Sequence, residues 1–295
     1  MKSHIMFYYN FDEVELSKQD DIYFFWFQNN LYSFNPVYNL SKTKAVFSVL
    51  KQIHYNKGFE IVYNIYHSEF TNIGEEWFVL LRHKNEKVNL LYEILHPIFI
   101  YHHLDFTFNL RWDYLWIQKM NYYEYQMLHV HNIYPILSES FNYYEGLAEN
   151  AISYINYNFS YDVPERKLYL CHNRISEKNF FNPLNLTIDY YARDIAEYIK
   201  FLFFSELYQT FSFYDFFSTL SFTYYDFILV YARLLFPSYY FDVYDEFLNK
   251  KTDNTKLKVI ISRQPEYEVF LHNIYQIICC FYPIPEVSWL KKEML

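Results

Sequence analysis

The sequence predicts an α+β chain in two lobes, a small mixed lobe followed by a mostly helical one. Three observations carry this reading. Two aromatic runs, Ile22 to Phe27 and Leu31 to Phe34, flank a short Gln-Asn-Asn turn near the start. Beyond Lys87, apolar residues recur mostly at helical spacing. One insert, Leu168 to Asp189, breaks that spacing with short apolar runs around a polar turn that begins at His172. With 295 residues and 36.6 kDa there is ample material for such a core.

In order, the aromatic runs read as a hairpin, since Asn tolerates the positive backbone angles of a tight turn. Val46, Val49, Leu50 and Ile53 predict a helix over Ser41 to Tyr55, with Gly58 as its stop. Phe59 to His67 and Trp77 to Leu81 read as strands joined by a turn at Asn72 to Gly74. This gives a nucleotide-lobe-like region over 1–85 and a helical lobe over 86–295, containing the loop 169–189. In the second lobe Val88 to Leu95 reads as a helix stopped by Pro97. Leu110 to Val130 follows, and then a helix from Pro135 to Tyr157 with the proline in its first turn. Phe180 to Ile188 reads as two short strands around an Asn-Pro turn. Helices follow at Ala192 to Phe204, Phe213 to Leu220, Tyr224 to Leu235, Ser238 to Asn249 and Lys256 to Cys280, before an extended tail.

Composition removes several functions. Aromatic residues make up 24% of the chain, yet there are only 3 glycines, so a Walker A loop and a dinucleotide fingerprint are both absent. A net charge of −9 repels phosphate backbones and anionic lipid, which argues against nucleic acid and membrane surfaces as partners. The most apolar region, Phe201 to Phe241, is interrupted by Glu206, Asp215, Asp226 and Arg233, so no membrane helix is expected. No signal-peptide pattern opens the sequence, and Cys171 and Cys279-Cys280 form no metal or redox spacing. The expected location is a reducing cytoplasm.

The insert carries the chemistry. It runs Tyr169-Leu-Cys-His-Asn-Arg-Ile-Ser-Glu-Lys-Asn179, with Asn179 seven positions after His172 and Ile188-Asp189 nine residues further on. This layout resembles the catalytic turn of the aminoglycoside phosphotransferase and choline kinase superfamily, in which His-Gly-Asp is followed by an Asn and a later Ile-Asp supplies a metal ligand. His172, Asn179 and Asp189 match, whereas Asn173 and Arg174 stand in place of the Gly and the catalytic Asp. Four segments, Tyr143 to Ala151, Leu170 to Ile175, Ile188 to Tyr198 and Leu234 to Ser238, further resemble the spore coat-associated, CotS-like branch and its YutH-like group.

The resemblance implies a bilobal protein-kinase-like fold, Mg and ATP as cofactors, and Asn179 and Asp189 as metal ligands wherever Mg-nucleotide binding is retained. It also implies spore coat proteins as partners, in the mother cell or developing coat. The departures argue against catalysis. Phosphoryl transfer needs a base for the acceptor proton, and a guanidinium stays protonated at any biological pH. The expectation is therefore a kinase-like protein with no catalytic residue assigned, acting in spore coat assembly or binding. The alternative is an atypical ATP-dependent phosphotransferase acting on a small molecule or a coat protein. An Arg174 to Asp189 ion pair is one expected way of filling the metal site, with an outward-pointing Arg174 as the other.

The remaining polar groups have simpler readings. No lysine flanks the hairpin turn, and Lys42, Lys44 and Lys51 fall on the next helix, where a solvated face is the default. His96, His102, His103, His129 and His131 lack the i, i+4 spacing of a shared helical face, and Glu75, Glu76 and Asp105 have no assigned partner. Asp194 reads as the cap of the helix that follows it, and Cys279-Cys280 as buried filler.

Overall fold

The structure, a computed structural model, describes residues 1–100, 110–161, 167–249 and 252–290. Its contacts divide the chain into two units. The first takes in Met1–Glu93 and His172–Ile188; the second takes in Ile94–Ile100 and the described residues of 110–171 and 189–290. The turn that follows His172 thus belongs, by its contacts, with the N-terminal part of the chain.

The first unit is built on an antiparallel sheet. β1 (Ser17–Gln19), β2 (Ile22–Phe27), β3 (Asn30–Pro36) and β6 (Glu76–His83) lie side by side, and β4 (Phe59–Val62) and β5 (Phe70–Ile73) share the far edge of β6. The β2–β3 turn has Gln28 at φ 47° and Asn29 at φ 61°, the paired positive angles of a turn whose twist matches the flanking strands. Phe25, Phe34, Phe78 and Leu80 form the core, with the Phe34 and Phe78 rings stacked 4.8 Å apart. α1 (Lys2–Tyr9) packs Ile5 against it. α2 (Leu40–Gln52) is capped by the Asn39 side chain, which accepts from Lys42 N at 3.0 Å.

Several expectations change here. The strand expected over Phe59 to His67 stops at Val62. The buried Asn64 takes over, its Oδ1 accepting from Tyr66 N and Ser68 N while its Nδ2 donates to Phe70 O and Thr71 Oγ1. One amide thus satisfies a break in the ladder, and the chain re-enters as β5. Gly58 does not stop α2, which ends at Gln52; its φ of +63° serves a close approach to Phe181 instead. Lys42, Lys44 and Lys51 are exposed, as a solvated helix face predicts, though they also make contacts. Lys51 pairs with Glu69 at 2.8 Å, and Lys44 lies near the rings of Phe70 and Trp77.

The second unit is helical. β7 (Ile98–Ile100) pairs antiparallel with β8 (Leu168–His172) through Phe99 and Tyr169. After α3 (Leu90–Leu95), which ends on the border of the two units, come α4 (Trp112–Val130) and α5 (Pro135–Asn158). After β9 (Leu186–Asp189) follow α6 (Ala192–Phe204), α7 (Phe213–Thr219), α8 (Tyr224–Leu235), α9 (Ser238–Leu248) and α10 (Thr255–Cys279). Pro135 occupies the first turn of α5, and Thr223 with Asp226 forms a reciprocal capping box at the start of α8. The aromatic excess is spent largely on packing. Tyr144 stacks on Tyr240 with ring centroids 3.7 Å apart, Tyr123 on Phe241 at 4.5 Å and Trp116 on Phe236 at 4.5 Å.

The two strands expected over Phe180 to Ile188 are one. Phe180 and Phe181 lie in a turn, Pro183–Asn185 is a single 3-10 turn, and only β9 is extended, because Asn182 caps Leu184 N and coils the backbone. In the described part of the tail, residues 282–287 carry no helix or strand and a 3-10 turn follows at Ser288–Leu290. Cys280 is exposed and Cys279 half-buried, so neither is buried filler.

Candidate functional site

His172, Asn173, Arg174 and Asn179 fall in the first unit, and Asp189 in the second. The turn is closed on itself. Asn173 N donates to Asn185 O at 2.7 Å and Arg174 N to Asn185 Oδ1 at 3.2 Å, while Asn185 Nδ2 donates to Arg174 O at 2.8 Å and Asn179 O at 3.0 Å. One side-chain amide therefore holds both ends of the turn. His172 is buried and stacked on Phe180, centroids 3.9 Å apart, a packing position. Arg174 Nη1 donates to Asn173 O at 2.7 Å, and the Asn179 side chain is exposed. Lys42 Nζ donates to Asn173 Oδ1 at 3.2 Å, which brings an ammonium from α2 onto the turn.

Asp189 is buried at the end of β9 and its carboxylate is engaged on both oxygens. Trp112 Nε1 donates to Oδ1 at 2.9 Å and to Oδ2 at 3.2 Å, Tyr190 N to Oδ1 at 2.8 Å, and Arg193 Nη1 to Oδ2 at 2.8 Å. The guanidinium expected from Arg174 is supplied by Arg193, four residues along in the first turn of α6. This pair is local, so it forms without closing a long loop. Behind it, the guanidinium of Arg233 sits 5.1 Å from the Trp112 ring centroid and forms a buried ion pair with Glu197 at 2.9 Å. Cys171 Sγ points at Asp189 O and Tyr190 O, and burial pushes its thiol well above the ordinary value.

Asp194 is not the cap of α6. It lies buried in the first turn of a helix that begins at Ala192, and the N-cap position belongs to Tyr191. Asn185, Arg193, Trp112 and Arg233 carry no sequence signal of a site, except that Arg193, four residues after Asp189, has the spacing of a helical ion pair. His129 packs on Tyr125, and among the described residues no group of three or more His, Cys, Asp or Glu could hold a metal. His102, His103 and Asp105 lie outside the described residues.

A divalent cation on Asp189 would have to displace the Arg193 guanidinium, and Asn179, in the other unit, presents an exposed amide.

This fold is that of the aminoglycoside phosphotransferases, a protein-kinase-like class with a small mixed N-terminal region and a mostly helical C-terminal region. An aminoglycoside phosphotransferase from Alicyclobacillus acidocaldarius subsp. acidocaldarius DSM 446 superposes with a TM-score of 0.53 at 11% identity, over 90% of this chain and 92% of that one. Spectinomycin phosphotransferase, in its complex with ADP and spectinomycin, gives 0.51 at 9% identity over 96% and 97%. At such identities the likeness is one of fold alone. Residues 2–274 match the family described as "Spore coat putative kinase YutH", and the chain belongs to that family. It is 30% identical over 185 residues to the endospore coat-associated protein YutH of Bacillus subtilis (strain 168). The match spans about half of each protein, 52% of this chain and 52% of that one. Among the described residues no helix is long and apolar enough to cross a membrane.

Proposed function

We propose that the chain is a non-catalytic, kinase-like component of the spore coat that works in assembly or binding through contacts with other coat proteins, in the mother cell or developing coat. The observation that supports this best is the Asp189 carboxylate, engaged by Arg193 and Trp112 where a phosphotransferase would hold metal. Arg174 adds to it, because the position that would accept the acceptor proton carries a permanent cation.

The test is ATP turnover and thermal stability of the full chain, with and without magnesium. The expected result is no turnover and no magnesium-dependent shift in Tm. Arg174→Asp alone restores neither, because Arg193 still covers Asp189; Arg174→Asp with Arg193→Ala opens the carboxylate and restores a magnesium-dependent shift. ATP turnover by the wild type that disappears in Asp189→Ala overturns the proposal.

One observation favours a second reading, an atypical ATP-dependent phosphotransferase. The Lys42 ammonium on Asn173 is a cation at the turn that could meet a phosphate. That reading requires turnover in the wild type and its loss in Lys42→Ala.

A further inference from the structure

The helical unit holds a cavity of about 570 Å³ that the site around Asp189 does not use. Every residue lining it belongs to that unit, and Asp189, Arg193 and Trp112 are not among them. It lies between the start of β8, the residues that follow β9 and the link from α7 to α8. Its size falls within the roughly 300–1,000 Å³ of small-molecule sites.

Its walls are aromatic. Tyr169, Tyr191, Phe222 and Tyr225 line it, with Leu220 and Leu229 adding aliphatic surface. The rings support one another: Tyr191 lies 5.3 Å from Tyr169 and 5.4 Å from Phe222, centroid to centroid, the second pair perpendicular. The Tyr191 hydroxyl donates to Ile94 O, which anchors that ring in place. Rings held in this way are preorganised for a flat apolar body.

Two opposite charges share the cavity without meeting. Lys167 and Asp226 both line it, and neither forms an ion pair among the described residues. Lys167 immediately precedes β8, two residues before Tyr169, the spacing at which an extended chain returns its side chains to one face. Asp226 stands in the first turn of α8, where its Oδ2 accepts from Thr223 N at 2.8 Å and from Thr223 Oγ1 at 2.7 Å. Its Oδ1 accepts no hydrogen bond among the described residues. The Asp226 charge reaches the aromatic wall: after burial, it is the next cause that holds the Tyr169 phenol above its ordinary value.

Charges and rings together select the ligand. A neutral body would leave both charges without a counter-charge, an aromatic amine would leave Lys167 alone, and an aromatic acid would leave Asp226 alone. A compound that carries a flat ring, an ammonium and a carboxylate answers every one of these features. We propose that this cavity binds a free aromatic amino acid, with its ring on the wall of Tyr169, Tyr191 and Phe222, its ammonium at Asp226 and its carboxylate at Lys167. This goes beyond the proposed assembly role and is independent of whether the chain turns over ATP.

The test is isothermal titration calorimetry of the full chain with L-phenylalanine, L-tyrosine and L-tryptophan. The expected result is saturable binding of at least one of them. Three relatives of that amino acid should bind at least about 10-fold more weakly. They are its N-acetyl form, which lacks the ammonium and stands for the C-terminal residue of a chain, its amide, which lacks the carboxylate and stands for an N-terminal one, and L-alanine, which lacks the ring. Lys167→Ala and Asp226→Asn should each weaken binding at least about 10-fold with circular dichroism unchanged, since Lys167 is exposed and Asn keeps an oxygen to cap α8. Each variant should also lose one selectivity: Lys167→Ala no longer separates the amino acid from its amide, and Asp226→Asn no longer separates it from its N-acetyl form. Failure of all three amino acids to bind, equal binding of the amide or the N-acetyl form to the wild type, or binding that neither variant weakens overturns the proposal.

Discussion

Arg193 Nη1 stands 2.8 Å from Asp189 Oδ2, an ion pair between the end of β9 and the first turn of α6, with only 14% and 7% of the two side chains exposed. Breaking it leaves one charge in a poorly solvated place, and the loss of Asp189 also strands the Trp112 indole N–H. Asp189→Ala and Arg193→Ala should each destabilise by about 3 kcal/mol. The double variant should cost less than the sum, since both remove the same contact. Urea denaturation measures this, and a loss below about 0.5 kcal/mol for Asp189→Ala, the level of an ordinary surface change, contradicts it.

Two glycines share a backbone conformation but not an environment. Gly58 and Gly74 have φ of +63° and +67°, yet a Cβ on Gly58 would lie 2.3 Å from Phe181 Cβ, while one on Gly74 meets nothing within 4 Å. Gly74→Ala should therefore cost about 1 kcal/mol from the backbone alone, and Gly58→Ala about 3 kcal/mol or more, because Phe181 must also move. Equal midpoints for the two variants in thermal unfolding would sink the argument.

Glu197 and Arg233 are a buried pair joining α6 to α8, with Arg233 also over the Trp112 ring. Arg233→Ala removes the guanidinium that Glu197 meets in the core and should cost about 3 kcal/mol. Replacing both by apolar residues, Glu197→Leu with Arg233→Met, should recover most of that. If the double variant is as unstable as the single, the pair is more than an isolated charge couple.

His83 on β6 gives a pH dependence. Burial holds its imidazole below the ordinary value of 6.5, and its Nε2 lies 2.7 Å from Ser33 Oγ. A depressed value means the unfolded chain takes up the proton first, so the stability His83 contributes is present above about pH 6.5 and is lost as pH falls through the folded value. The stability difference between wild type and His83→Gln should therefore shift against the wild type between pH 8 and pH 5. A difference that is flat with pH excludes His83 as the cause.

Most elements are legible in the residue pattern, for local reasons. α6 and α8 fall where helical spacing places them, and α5 begins at the proline that marks its first turn. The departures share a cause. β4 ends early because the Asn64 side chain binds four groups of the turn that follows it, between Tyr66 and Thr71, and Phe180-Phe181 coils because Asn182 and Asn185 bind the turn. An asparagine that ends a strand looks in the sequence like one that lies within it.

Locally encoded information determined the spacing of His172, Asn179 and Asp189, the Arg at 174 and the shortage of glycine, and with them the family and the doubt about catalysis. Only the tertiary structure decided which cation meets Asp189. It is Arg193, since a residue four positions on needs no distant segment to be brought in, and Trp112, 77 residues earlier, completes it through a contact that no spacing rule could have foretold.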